Sequence, residues 1–243
     1  MSAFEPSPGV ATPSRHAAIS IAILAFSAFL IVTTEFLIVG LLPALSQDLG
    51  ISISLAGQLV TLFAFTVMLA GPLLTAALAH LDRKRLFIGI LLVFAAANAL
   101  AAASGSFWVL AVARVIPALA LPVFWGTASE TAGHLAGRDR AGQAIAKVYL
   151  GISAAMLLGI PLGTVAATAV GWRGAFWILA ALSLLMALAM WVWMPHVART
   201  AKVDFMQQAR IFKERFFLAN VLLSVVVFTA MFTGYTCLLY TSD

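Results

Sequence analysis

Seven stretches of this chain are each long and apolar enough to cross a lipid bilayer: Ala17–Leu42, Leu55–Ala79, Leu86–Ala103, Phe107–Ser129, Ala144–Val170, Ala175–Trp193 and Phe216–Tyr240. A hydrocarbon core takes roughly 20 residues of helix to span. Within it every backbone polar group must be satisfied by the chain itself, which leaves helices and closed β-barrels as the only spanning structures. The barrel is excluded because the runs are too long, rich in Leu and Ala, and lack alternation with a period of two. Only 9% of the residues are charged, against roughly 25% in soluble domains. The sequence therefore predicts an all-α polytopic membrane protein.

The charged residues set the expected topology. Counting alternate loops, one side receives Arg15; Arg83, Lys84 and Arg85; Arg138, Arg140 and Lys147; and Arg199, Lys202, Arg210, Lys213 and Arg215. The other side receives Arg173, and Arg114 lies inside the fourth span. Positive residues accumulate on the cytoplasmic side, so the N-terminus is expected in the cytoplasm and the protein in the inner (plasma) membrane. This bias also accounts for the net charge of +5 without nucleic acid, because the basic residues are dispersed and not interleaved with aromatics. One cysteine, Cys237, excludes an intramolecular disulfide framework. The first run is too long for a signal-peptide core and lacks a clear basic flank, so it is expected to stay uncleaved.

The organisation read from these runs is a tail at 1–16, a six-span bundle at 17–194, a polar linker at 195–215 and a seventh span at 216–243. The closing residues, Cys237-Leu-Leu-Tyr-Thr-Ser-Asp243, read as the end of a truncated or out-of-frame reading frame.

Two charged groups stand deep inside the apolar runs, whereas Lys147 lies three residues from the start of its own. Glu35 sits within Ala28-Phe-Leu-Ile-Val-Thr-Thr-Glu-Phe-Leu-Ile-Val-Gly40, and ionising a carboxylate near the bilayer centre costs at least ~2.5–3.5 kcal/mol. Burial favours its neutral form and a nearby guanidinium its anion. Glu35 therefore has two readings, a proton carrier or a structural acid bonded to Thr33 or Thr34. Arg114 stays charged and needs carbonyls, water or an acid. It either fixes span one to span four or lines a cavity, on a stripe with Ala118, Pro122 and Gly126 at four-residue spacing. In span five, Gly151, Ala155, Gly159 and Gly163 also recur every fourth residue, a face on which helices approach closely. The histidines show no ligand spacing, and there is no phosphate-cradling loop or nucleophile–base arrangement. No cofactor or metal is expected, and an enzyme is disfavoured.

Five motifs occur in order: Pro43-Ala-Leu-Ser-Gln-Asp48; His80-Leu-Asp82-Arg83-Lys84-Arg85; Arg114-Val-Ile-Pro117 through Pro122-Val-Phe124-Trp125-Gly126; Gly151 through Gly159-Ile-Pro161-Leu-Gly163; and Gly171-Trp-Arg-Gly174. Over roughly Ser20 to Pro195 this set resembles the N-terminal half of a major facilitator superfamily transporter, with most likeness to the twelve-span drug:proton antiporters of the sugar- and arabinose-efflux branch. Leu78 stands where the family usually has glycine, a second glycine is missing from the basic run, and Ile160 separates Gly159 from Pro161.

The resemblance implies a six-helix bundle of the major facilitator fold, here followed by the start of the second bundle. It implies proton coupling at Glu35 and Arg114, and an antiporter motif in Gly151, Gly159, Pro161 and Gly163. Asp82, Arg83, Arg85 and Glu130 are the expected cytoplasmic gate, with Arg83 or Arg85 pairing with Glu130. Gln58, Thr61, Asn98, Phe124 and Trp125 are expected to join the charged pair in lining the substrate cavity. The function so implied is proton-driven export of a drug-like compound or sugar by alternating access. The partners are substrate, protons, the bilayer and a missing C-terminal half. The alternative is a non-transporting membrane scaffold built on the same bundle.

Overall fold

A computed structural model describes residues 15–78, 80–197 and 214–241. The expected tail falls almost wholly outside these residues, as does most of the expected linker. Among these residues seven helices follow in order: α1 (Arg15–Leu49), α2 (Ile53–Leu78), α3 (Arg83–Ala102), α4 (Phe107–Ala136), α5 (Ala141–Ala154), α6 (Ile160–Trp193) and α7 (Arg215–Thr241). A 3-10 turn, Arg138–Arg140, precedes α5, and a π-helical turn, Ala155–Gly159, joins α5 to α6. No strand occurs among the described residues.

Local chemistry explains where each helix stops. Gly50 takes φ 64° just after α1, and Ile51 N–H donates to the Ser46 carbonyl at 3.1 Å. This is the left-handed cap that glycine allows without a Cβ penalty. The Asp82 carboxylate accepts from Arg85 N–H at 3.0 Å and starts α3. Ser106 caps α4 in the same way, through Val109 N–H. Both caps satisfy amides that the first turn of a helix leaves unpaired.

The fifth and sixth expected spans share one run of helix, with the reversal confined to Gly171 at φ 75° and ψ 163°. That conformation is essentially restricted to glycine. The wider outer turn expected at Gly171–Gly174 is thus a single residue, and helix resumes at Trp172. The π-turn also has a sequence cause. Pro161 lacks an N–H and cannot donate to the residue four before it, so the ladder is already broken where the extra residue inserts.

Residues 15–197 pack around α1, whose Leu24, Ala28, Leu37, Ile38 and Leu45 are completely enclosed. It contacts α2, α4, α5 and α6, while α3 packs against α6 and α2 against α4. The outer surface keeps large apolar groups, including Leu157, Val165, Leu188 and Trp191. In water this would be an aggregation liability, whereas in lipid it is the expected surface. Four interior hydroxyls are satisfied locally: Ser27, Thr127, Thr131 and Ser183 each donate to the carbonyl four residues earlier. The second compact unit holds α7, where Asn220 and Ser224 make the same bonds along their own helix.

Candidate functional site

The centre of the helical unit is organised by Arg114. Its α4 position turns the side chain inward, where it is 2% exposed. One terminal nitrogen donates to the Thr34 carbonyl and the other to the Glu35 carbonyl, both at 2.8 Å. Each carbonyl has a second lone pair beyond the one its helix uses, so α1 accepts the guanidinium without losing its ladder. The Arg114 cation also lies 4.5 Å from the centroid of the Phe63 ring on α2, within cation–π range. A single side chain therefore ties α4 to α1 and α2.

Glu35 projects beside this tie and remains partly exposed. The contact Arg114 makes is to the Glu35 main chain. No described side chain donates a hydrogen bond to the carboxylate. The expected structural partners are engaged elsewhere. Thr33 donates to the Phe29 carbonyl at 2.7 Å, and Thr34 accepts from Asn98 at 3.3 Å. The acid is thus held next to a fixed cation and keeps its own lone pairs free for a proton or a ligand.

Several expected cavity residues are placed differently. Asn98 is 2% exposed and bridges α3 to α1, and Phe124 is fully enclosed. The Phe124 ring packs edge-on against Phe87 and Trp125, with centroids 5.7 and 5.2 Å away. These two residues belong to the packed interior, because α3 turns Asn98 toward α1 and α4 turns Phe124 toward α3. Gln58 and Thr61 lie on the exposed face of α2, and Trp125 is partly exposed beside Tyr149, 5.8 Å between centroids. The stripe read as a cavity wall is a packing seam instead. Pro122 lies against Gly71, and Thr75 lies against Gly126.

The span-five glycines face α1. A Cβ at Gly151 would meet the Ala25 carbonyl oxygen, the Ala28 Cβ at 2.9 Å and the Phe29 nitrogen at 3.1 Å. At Gly159 it would strike Thr33 and come within 3.3 Å of the Phe29 ring, and at Gly163 it would lie 2.5 Å from a Leu37 methyl. Pro161 lies beside the π-turn, two residues beyond its end.

Each end of the unit carries an ionic tie. At one end Arg83, buried on α3, pairs with Glu130 of α4 at 2.8 Å, and His134 approaches the other Glu130 oxygen at 3.9 Å. Asp82 serves as the α3 cap, and Arg85 is exposed. At the opposite end Arg173 donates to Asp48 at 2.5 Å and to the Ser104 carbonyl at 3.0 Å, with its cation 4.2 Å from the Trp172 ring. Sequence reasoning missed this second tie. The signal available was the solitary Arg173 opposite an acid just past span one, but only the folded chain brings them together.

The family is decided by comparison with known proteins. The model of the Major Facilitator Superfamily matches residues 24–242. The chain belongs to the major facilitator superfamily. This is a superfamily of transporters and not of enzymes, in line with the resemblance carried by the motifs. Among similar major facilitator proteins is "Uncharacterized MFS-type transporter YbcL" of Bacillus subtilis, 36% identical over 79% of this chain and 50% of the relative. "Uncharacterized MFS-type transporter YtbD" of the same organism is 34% identical over 90% of this chain and 54% of its own length. A "Probable sugar efflux transporter" of Helicobacter pylori is 29% identical over 91% of this chain and 57% of its own. The chain spans about half the length of the curated relatives it matches.

The two ionic ties differ in a measurable way. The Arg83 and Glu130 side chains are 3% and 34% exposed, and those of Arg173 and Asp48 are 39% and 42% exposed. Solvent screens the second pair more, so a double-mutant cycle there is expected to give about 0.2–1 kcal/mol. A charged hydrogen bond with one buried partner is expected to give about 1.5–3 kcal/mol at Arg83 and Glu130. The measurement is thermal stability of purified protein carrying each single and double Gln substitution. Equal coupling in the two cycles would mean that burial does not distinguish them.

Proposed function

We propose that this chain forms the first half of a secondary active transporter that exports a small molecule in exchange for protons. The observation that carries this reading is the geometry at Arg114. A buried guanidinium is anchored on the Thr34 and Glu35 carbonyls, and the neighbouring carboxylate is left unbonded among the described residues. A carboxylate that had only to be stabilised would accept the guanidinium's hydrogen bonds itself. Here it stays available to take up a proton, and the cation beside it favours release. Substrate or conformational change that alters the access of water to Glu35 would then couple protonation to transport.

Alternating access supplies the second half of the mechanism. Arg83 and Glu130 act as the cytoplasmic gate through their ion pair, with Asp82 shaping the turn that presents Arg83. The close-packed Gly151, Gly159 and Gly163 face lets α5 and α6 move with α1 as one body. Gln58, Thr61 and Trp125, with Glu35, are the groups offered to a substrate. The relatives named as probable sugar efflux transporters favour a sugar or a similar hydroxylated compound.

The transporter containing this chain, reconstituted in proteoliposomes with an imposed pH gradient, should accumulate a radiolabelled sugar against its concentration gradient. Dissipating the gradient with a protonophore should stop it. Accumulation indifferent to the protonophore would overturn proton exchange.

Orientation rests on the basic residues. The helix ends near Arg83 and Arg138 belong in the cytoplasm and the Asp48–Arg173 end outside it. In a background with Cys237→Ser, Gly105→Cys should react with an impermeant maleimide added to intact cells, and Gly142→Cys, where a side chain meets nothing within 4 Å, only after the membrane is opened. The reverse pattern would invert the topology.

A further inference from the structure

Phe63 is the aromatic side chain that α2 turns inward at the level of Arg114. Leu59 and Phe63 lie four residues apart on one helical face and are 0% and 3% exposed, whereas Thr61 and Phe65 point outward. No charged residue occurs on α2, so this ring is what the helix offers to the buried cation. Its centroid lies 4.5 Å from the Arg114 guanidinium carbon. The ring is itself fixed, because it belongs to one buried apolar cluster with Ile31 of α1 and Ala118 and Leu121 of α4.

Hydrogen bonds alone leave the guanidinium an alternative. Its terminal nitrogens bond the Thr34 and Glu35 carbonyls, and its Nε has no acceptor among the described residues. One of those carbonyls belongs to Glu35, so rotation of the glutamate side chain can bring its carboxylate to the fork. A bidentate pair of that kind is stronger than bonds to neutral carbonyls, and acid and cation would then occupy each other. The aromatic face opposes this exchange. Its attraction for a desolvated cation is worth about thirtyfold in an equilibrium, and it has no atom that accepts or gives a proton. The cation is held in place without being neutralised. We propose that Phe63 is a positioning residue for proton exchange: its ring keeps Arg114 on the α1 carbonyls and off the Glu35 carboxylate, which stays available to a proton. This inference rests on the exchange reading above and adds to it a residue on a third helix, acting through Arg114.

The test places mono-, di- and trifluorinated phenylalanine at position 63 of the transporter containing this chain. Fluorine withdraws charge from the ring face and nearly preserves its shape, so attraction for the cation weakens stepwise while packing stays. In proteoliposomes with an imposed pH gradient, accumulation of a radiolabelled sugar should fall with each added fluorine, by about tenfold with three, within the worth of the contact. Downhill exchange without a gradient should persist, and the thermal midpoint in detergent should change little. The same series at Phe94, a ring of α3 that is 1% exposed, should leave accumulation unchanged. Equal accumulation by all three rings at position 63, with the wild-type protein still stopped by a protonophore, would show that the ring only fills space. That result would overturn this inference alone. A parallel fall in downhill exchange would mean a general loss of transport, and an equal fall at Phe94 would assign the effect to fluorine in the interior; either would overturn the positioning role. Wild-type accumulation indifferent to the protonophore would overturn proton exchange itself, and the role of Phe63 with it.

Discussion

Glu35→Gln is expected to abolish uphill export driven by a pH gradient while leaving the protein folded. The amide keeps the size of the acid and removes its titration. Folding should survive because Arg114 is anchored on main-chain carbonyls of Thr34 and Glu35, which the substitution does not touch. Substrate binding should survive too, since an amide resembles the protonated acid, and downhill exchange should persist. Arg114→Lys is the companion variant. An ammonium cannot reproduce the planar fork that reaches two carbonyls at once, and each charged hydrogen bond lost costs about 1.5–3 kcal/mol. It should therefore lower both thermal stability and coupling, whereas Glu35→Gln lowers coupling alone. Proteoliposomes with and without an imposed gradient separate the cases. Undiminished gradient-driven transport by Glu35→Gln would reduce this acid to a structural detail.

The second large effect is expected at Gly151. Replacement by alanine adds one methyl, yet that methyl would collide with the Ala25 carbonyl oxygen and crowd the Ala28 Cβ and the Phe29 nitrogen. Two of these three atoms are backbone within a helix and cannot rotate away, so α1 and α5 must separate. Overpacking of this kind costs about 1–3 kcal/mol, and each kcal/mol shifts the melting midpoint by about 2–4 °C in a chain of this size. At Gly159 a methyl meets chiefly the Thr33 side chain, which can change rotamer, so Gly159→Ala should cost less. Gly159→Leu should not be rescued in this way, because a branched chain also meets the Phe29 ring. Gly142, next to the start of α5 with nothing within 4 Å of its Cβ position, is the control. There alanine should be neutral or slightly stabilising, since glycine is a poor helix former. Detergent-solubilised protein followed by thermal unfolding gives the ranking. Equal melting points for Gly151→Ala and Gly142→Ala would show that the helices are not held at the distance described.

How much of this was legible beforehand depended on the range of the physics involved. The bilayer acts locally on composition, so the all-helical class could be read from the apolar runs. The helix stops at Gly50 and Asp82 follow from single residues and their immediate neighbours. The inward placement of Arg114 was legible as well, because a charge in an apolar run is unfavourable whatever surrounds it. What it touches was not. Arg114 was expected to need carbonyls, water or an acid, and only the crossing of α4 over α1 selected the carbonyls. Asn98 and Phe124 were read as cavity residues from polarity and aromaticity. Which way a helix turns depends on its neighbours, and α3 and α4 turn both residues into the packed interior. The Arg173–Asp48 tie joins residues 125 positions apart and leaves no periodic trace in the chain. Sequence alone determined which segments are helices in lipid and which residues must be explained. The tertiary structure decided their partners, because hydrogen bonds act over about 3 Å and only packing brings distant residues that close.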